Sequence, residues 1–226
     1  MRAIIAIPMA DEPLTLTRLP LFPLGTVLFP GGELPLRIFE VRYLDLIEKC
    51  YQAGAPFGVV NLRQGHEVLV AGAPEEQLHS EGTLAHIVTL ERPQPGLFVM
   101  QCEGKQRFRT VRKERLKHGL WVADVVLIED DQTVNIPDDL FFTVDLLRQL
   151  RTTLRANGVL TTASDPSGAY ADCGWVANRW CELLPLPNET KQQLMALENP
   201  LLRLELVADV LNRSNIGGQT AGPDVP

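Results

Sequence analysis

The sequence lacks the motifs of several large enzyme classes. It has no Gly-x-x-x-x-Gly-Lys-Ser/Thr loop to hold nucleotide phosphates and no Gly-x-Gly-x-x-Gly turn after a strand. It has no Gly-x-Ser-x-Gly nucleophile elbow either. The paired carboxylates Asp130-Asp131 and Asp138-Asp139 fit turns and helix starts rather than acid–base catalysis. These features disfavour an ATPase, a dinucleotide-dependent oxidoreductase and a serine hydrolase, and we predict no catalytic residues.

Cysteine and histidine are both scarce, with four of each in 226 residues. No cysteines form a Cys-x-x-Cys pair and no histidines show His-x-x-x-His spacing, so we predict no metal and no cofactor. Apolar neighbours around each cysteine predict buried free thiols. The cysteines are Cys50, Cys102, Cys173 and Cys181.

Long apolar runs are also missing, since no stretch approaches the roughly 20 residues that span a bilayer. The run from Ala3 to Ala10 is broken by Pro8 and followed by acidic residues, which is not typical of a signal peptide. We therefore expect a cytoplasmic protein without membrane attachment. Residues 1–13 are predicted to form an N-terminal extension and residues 213–226 a disordered tail.

Net positive charge is absent: the formal net charge is −7 and the isoelectric point about 5.2. An acidic surface repels phosphate backbones, so binding of nucleic acid is disfavoured. The basic segment from Lys105 to Lys117, which carries seven Lys and Arg residues, is interpreted as a strand with a solvated polar face. With 45% hydrophobic and 22% charged residues, the composition is that of an ordinary globular protein.

The first half of the chain reads as short strands, broken by glycine and proline. The most unusual stretch, LPLFPLGTVLFPGGELPLRIFEVRY, runs from Leu19 to Tyr43 and combines four prolines with many apolar residues. Proline confines a strand to an edge or a bulge, so this stretch predicts a strand, a bend, a turn and a return strand. We predict a curled β unit over residues 14–130, with a hairpin whose tip lies near Glu103-Gly104-Lys105. The predicted strands are Leu14–Phe22, Glu33–Ile38, Phe57–Leu62, Glu67–Val70, Gly82–Leu90, Leu97–Cys102, Gln106–Arg112 and Leu120–Ile128.

Helical spacing appears once in this half and dominates the second half. Phe39, Tyr43, Leu46, Ile47 and Cys50 form one apolar stripe, which predicts a helix from about Glu40 to Gly54. A helical unit is predicted over residues 137–212. Asp138 and Asn188 are predicted to cap its first and third helices, Trp175 starts the second, and Asn199-Pro200 starts the fourth.

The order of these pieces resembles the LON domain, the N-terminal substrate-binding region of ATP-dependent Lon proteases. The opening stretch with its FEVRY segment, the Glu103-Gly104 and Arg107-Phe108 pairs, and the LPLPNETKQQLMALENPLLRLELVADVL segment carry the resemblance, from Leu14 to Asn212. It implies an α+β fold: a PUA-like curled β-barrel with one helix, followed by a C-terminal helical bundle. The ATPase and peptidase motifs of Lon proteases do not occur in these 226 residues, so the resemblance implies a stand-alone recognition part.

The resemblance implies a non-catalytic module that binds unfolded or partner polypeptides, as an adaptor or a mild chaperone. Candidate peptide contacts are Phe39, Arg42, Tyr43, Gly31-Gly32 and Trp175. Phe39 and Tyr43 also fit a helix core, and Arg42 fits a surface ion pair. Joint exposure of Phe22, Phe29 and Phe39 would indicate an apolar binding groove.

Two other functions remain open at this point. PUA-like barrels also occur in RNA-binding proteins, and such a role needs a contiguous basic face from Lys105 to Lys117. An uncharacterised hydrolase would need His86 or His118 beside a carboxylate in a pocket.

Overall fold

The computed structural model describes residues 14–67, 72, 75–162 and 164–214. Six strands come first, interrupted by one helix, and four helices follow, so the α+β prediction is confirmed. The predicted extension, most of the predicted tail and most of the predicted strand Glu67–Val70 lie outside the described residues. The strands are β1 Thr15–Leu24, β2 Glu33–Ile38, β3 Phe57–Gln64, β4 Gln77–Gln94, β5 Leu97–Arg115 and β6 Trp121–Leu127. The helices are α1 Val41–Ala53, α2 Phe141–Ala156, α3 Cys173–Leu183, α4 Asn188–Ala196 and α5 Pro200–Arg213.

One sheet holds all six strands, in the order β2-β5-β4-β3-β1-β6. β5 also pairs with β6, which closes the last five of these strands into a barrel and leaves β2 as a flanking strand. Among the pairs that these six described strands form, β1 and β3 are parallel and the others are antiparallel. Because β5 has 19 residues, it can pair with β2 and β4 at one end and with β4 and β6 at the other.

The prolines of the opening stretch lie where they cost the sheet little. Pro20 and Pro23 are both in β1: Pro20 lies opposite Val122 of β6, one residue before that pairing ends, and Pro23 lies beyond it, where β1 pairs with β3 alone. Pro30 is in a turn and Pro35 is in the flanking strand β2. This agrees with the confinement of proline to edges and strand ends.

The predicted hairpin tip at Glu103-Gly104-Lys105 is wrong, because these residues lie inside β5. The chain reverses instead at Pro95-Gly96, where Gly96 has a φ of 77°. Gly104 is needed for close approach: an added Cβ would collide with the carbonyl oxygen of Phe29. Its own carbonyl accepts from Gly31 N at 2.7 Å, so here glycine marks a contact and not a turn.

The helices agree with the apolar spacing, but two predicted caps are wrong. Asn199 caps α5 and precedes Pro200 at the first turn, as predicted. Asp138 begins a short 3-10 turn without capping it, and the Asn188 amide donates to the carbonyl of Gly25 instead of capping α4. The cap of α3 is Asp172, whose carboxylate accepts from Trp175 N at 2.9 Å.

A buried charge cluster joins the barrel to the helices. Asp131 accepts from Arg107 of β5 at 2.7 Å and from Arg203 of α5 at 2.5 Å. The two guanidinium groups also donate to main-chain carbonyls, among them those of Met195 and Leu194. Asp131 was predicted to be a turn residue; its side chain is only 13% exposed, and its two arginine partners compensate for this partial burial.

Apolar packing crosses the same junction. Val27 and Phe29, from the turn between β1 and β2, are buried in the helical core. The barrel interior and α1 form separate clusters. All four cysteines are free and buried, as predicted, and burial raises the pKa of each thiol. No helix in the described part of the chain is long and apolar enough to cross a membrane.

Candidate functional site

A groove of about 660 Å³ lies between the outer face of β2, β4 and β5 and the helical unit. We call it the sheet–helix groove. Its sheet wall is formed by Glu33, Pro35, Val88, Thr89, Glu91, Val99, Met100, Gln101, Cys102 and Glu103. Its other wall is formed by Gly31, Arg151, Thr161, Thr162, Ser164, Asp165, Pro166, Trp175 and Arg179.

The sheet wall is a regular surface set by strand register. Val99 lies opposite Glu91 on one side and Arg37 on the other. Since residues directly opposite one another point to the same face, neighbouring side chains form rows across the three strands. Val88 is 53% exposed, which is unusual for an apolar strand residue that lines a concave surface.

The helical wall is built around Trp175. The Tyr170 ring meets the Trp175 ring edge-on, with centroids 4.9 Å apart. The guanidinium carbons of Arg151 and Arg179 lie 5.4 Å and 5.6 Å from the centre of the indole ring. These contacts fix the ring, so the groove presents a preformed aromatic surface.

Asp165 orders the loop that carries this wall. It accepts from Arg151 and Arg155, each at 2.6 Å, and from the Tyr170 hydroxyl at 2.7 Å. Burial of the carboxyl opposes ionisation, but these hydrogen bonds outweigh it and lower the pKa of Asp165 to about 2. Asp165 is therefore a charged structural acceptor at neutral pH.

Glu33 ties the same loop to β2. Its carboxylate accepts from Thr161 N at 3.2 Å, from the Thr162 hydroxyl at 2.6 Å and from the Thr161 hydroxyl. Burial raises the pKa of Glu33, yet the bonds from the two threonines leave it below its ordinary value. Both carboxylates are occupied by structural partners, so the groove can bind a ligand but offers neither of them as a free base.

The Gly31-Gly32 turn is held rigidly at the end of the groove. Arg179 donates to the carbonyls of Pro30 and Gly31, at 2.8 Å and 2.5 Å. Gly31 has a φ of 70°, which favours glycine. Gly32 is buried, and a Cβ there would collide with the Glu182 carboxylate.

The structure brings two of the proposed contact residues, Gly31 and Trp175, together on the sheet–helix groove. The side chain of Arg42 is only 6% exposed. It forms an ion pair with Glu40 at 3.0 Å and donates to the Gly119 carbonyl. Tyr43 is buried in the core, as its helical spacing also allowed. Burial therefore argues against direct peptide contact by Gly32, Arg42 and Tyr43.

Phe39 behaves differently from its apolar neighbours. It is 59% exposed, whereas Phe22 and Phe29 are buried, so the expected joint exposure of the three rings does not occur. Phe39 lines a second, smaller cavity of about 180 Å³ beside β2, which we call the edge cavity. The edge cavity is lined by Phe22, Leu24, Pro35, Leu36, Arg37, Ile38, Phe39, Glu40, Tyr43 and Glu67.

Sequence reasoning missed the sheet wall of the groove. Val88 and Val99 lie in runs whose alternation predicts strands with two distinct faces. Alternation does not show which of those faces is covered by helices that are distant in sequence. The loop Thr161–Asp165 was not among the predicted contact residues. Its Asp and Thr content, near a helix start, was the available signal.

Most basic side chains of the segment from Lys105 to Lys117 are paired with carboxylates. Four of its seven basic side chains meet carboxylates: Lys105–Glu103, Arg107–Asp131, Arg109–Glu81 and Arg115–Glu76. Glu76 is buried and also accepts from the Trp121 indole at 3.4 Å. The expectation that nucleic acid is not a partner stays a prediction.

The hydrolase alternative required His86 or His118 to lie beside a carboxylate in a pocket. His86 and His118 are exposed, and neither lines the sheet–helix groove or the edge cavity. Within the described residues, no group of three His, Cys, Asp or Glu side chains is placed to hold a metal ion.

Comparisons with known proteins agree with this architecture. The family model of the ATP-dependent protease La (LON) substrate-binding domain matches residues 18–213. The Lon protease of Anaeromyxobacter dehalogenans is 26% identical over 198 residues, which cover 86% of this chain and 23% of that protein. The Lon protease of Paraburkholderia phytofirmans is 30% identical over 227 residues, covering 94% of this chain and 26% of that protein. This chain thus spans about a quarter of the length of the curated relatives it matches.

Solved structures show the same fold. The crystal structure of a Lon N-terminal domain protein from Xanthomonas campestris has a TM-score of 0.66 and 29% identity, covering 86% of this chain and 98% of that chain. The N-terminal domain of the Mycobacterium avium complex Lon protease has a TM-score of 0.53 and 18% identity, covering 84% and 96%. The second likeness supports the fold alone. Only the N-terminal part of the relatives aligns, and that part is a non-catalytic substrate-binding domain.

Proposed function

Because the chain belongs to the Lon substrate-binding domain family, we propose that it recognises polypeptide segments in its sheet–helix groove and serves as an adaptor or chaperone-like module. Family membership itself implies a role in substrate recognition. The groove is our assignment of that role to particular residues of this chain.

One observation carries the proposal: an aromatic ring held by two arginines and an exposed strand valine, Val88, line the same concave surface. Trp175 and Val88 line opposite walls of the groove. Burying one valine side chain against a ligand is worth about 1.5–3 kcal/mol, so a few such contacts support binding of an apolar segment. The ring and the loop are already ordered by Asp165, which reduces the entropy cost of binding.

The test compares two exposed valines on the same sheet. Val88→Glu places a carboxylate in the groove, while Val111→Glu places one on β5, outside the groove, where Val111 is 68% exposed. The probe is a fluorescently labelled disulfide protein in its native form and in its reduced, unfolded form, and binding is measured by anisotropy.

We expect the wild type and Val111→Glu to bind the unfolded form alone, and Val88→Glu to lose about tenfold or more in affinity. Equal affinity of both variants would remove the groove from the proposal. Failure of the wild type to prefer the unfolded form would remove polypeptide recognition itself. The chaperone-like part is tested by light scattering, where the wild type should slow aggregation of the reduced probe more than Val88→Glu does.

A further inference from the structure

Among the described strands, β2 has a neighbour on one side only. Within the described residues it pairs with β5 and with no other strand, so its second edge is free. A free edge presents main-chain donors and acceptors that an extended chain can use.

The hydrogen-bond pattern shows which groups lie on this edge. Antiparallel residues alternate between facing the partner strand and facing away. Gly104 N donates to Gly32 O at 2.8 Å, so Gly32 faces β5 and the alternation continues through the even-numbered residues of β2. Glu33, Pro35 and Arg37 therefore direct their main-chain groups to the free edge. Pro35 is compatible with this pattern because proline has no N–H, and none is needed at a position that faces away from β5.

Arg37 is the residue that offers most to a partner. It presents both an N–H and a C=O to the free edge, and its N–H has no acceptor outside the strand ladder in the described part of the chain. Pro35 contributes a C=O alone. An extended segment could thus form a donor–acceptor pair at Arg37 and one further bond at Pro35.

The edge cavity runs along these groups. Six consecutive residues, from Pro35 to Glu40, form one side of it. Phe22 and Leu24 at the end of β1 form the other side, where β1 has already left β6. A chain paired with β2 would therefore have apolar groups of Phe22, Leu24 and Phe39 beside one of its side chains, in a lining that also includes Glu40 and Glu67.

We propose that an extended polypeptide segment adds to the free edge of β2 at Arg37 and places an apolar side chain in the edge cavity. This rests on the proposed function and deepens it, because strand addition binds the main chain of an unfolded polypeptide while the edge cavity selects an apolar side chain. Pro35 lines both the edge cavity and the sheet–helix groove, so one bound segment can contact both.

Two substitutions at position 37 distinguish the contribution of the main-chain N–H to binding from that of the arginine side chain. Arg37→Ala removes the guanidinium group and keeps the outward N–H, whereas Arg37→Pro removes that N–H as well. Proline is tolerated at an edge position whose N–H faces away from the ladder, and Pro35 already occupies such a position. Thermal unfolding confirms that each variant is folded.

The probe is the reduced disulfide protein used above. We expect Arg37→Ala to bind within about twofold of wild type and Arg37→Pro to lose about tenfold, the equivalent of one or two hydrogen bonds. Pro35 and Arg37 are also devices that keep edges unpaired. If they serve only that purpose, Arg37→Ala and Arg37→Pro bind the probe equally and the inference is overturned. The proposed function would still stand if Val88→Glu weakens binding of the same probe.

A second measurement covers the case in which Arg37→Pro does not fold. Amide hydrogen exchange of wild type is followed at Arg37 with and without a synthetic ten-residue peptide of alternating Val and Ser. Strand addition predicts slower exchange at Arg37, and the same peptide with alternate residues N-methylated should give no slowing. Unchanged exchange with bound unmethylated peptide would overturn the inference.

Discussion

Removal of Asp131 is the most direct test of how the barrel and the helices are held together. Asp131→Ala leaves the side chains of Arg107 and Arg203, which are only 4% and 1% exposed, without their shared carboxylate. Breaking a buried ion pair by deleting one partner costs about 3–5 kcal/mol, because the remaining charge stays buried. Both guanidinium groups keep carbonyl acceptors, including Met195 O and Leu194 O, so we expect the lower end, about 3 kcal/mol.

The assay is urea unfolding followed by circular dichroism, from which the free energy of unfolding is obtained. Asp145→Ala is the matched control, since Asp145 pairs with Arg148 at 3.8 Å on the surface and should cost less than about 0.5 kcal/mol. Asp131→Asn keeps the side-chain shape and should still lose stability. If Asp131→Ala costs no more than Asp145→Ala, the charge cluster does not hold the junction and our reasoning about it fails.

Two further predictions concern the groove loop and the packed glycine. The pKa of Asp165 is lowered from 3.8 to about 2, so its contribution to stability is complete above its unfolded pKa and is lost as pH falls through about 2. The stability difference between wild type and Asp165→Asn should therefore be constant near neutral pH and shrink between about pH 4 and 2; a difference independent of pH would contradict this. Gly104→Ala should lower the free energy of unfolding by about 1–3 kcal/mol through the clash with the Phe29 carbonyl, measured by thermal unfolding, and an unchanged midpoint would show that the backbone yields easily.

Local patterns predicted the elements well because apolar spacing reflects which side chains are buried along one helix or strand. The stripe through Tyr43, Leu46 and Ile47 is buried as expected. The same reasoning failed at Gly104, since a glycine inside an alternating run marks either a turn or a close approach. Only the distant Phe29 carbonyl decides between them.

The candidate site was harder to predict because it is made of parts that meet only in the folded chain. Gly31 and Trp175 come from different units, and it is Arg179 that joins the turn to the wall through the Gly31 carbonyl. Asp131 looked like a turn residue because its partners, Arg107 and Arg203, are far away in sequence. Local composition cannot report such pairings.

The pairing of β1 with β6 also has a consequence for synthesis of the chain. Thr15 lies opposite Val126, so β1 leaves the ribosome long before the strand that covers this side exists. During that interval the edge of β1 is exposed to other nascent chains. Pro20 and Pro23 each lack an N–H, so β1 offers fewer main-chain donors to another chain while it is unpaired. We therefore expect these prolines to reduce pairing of β1 with other chains before β6 is synthesised.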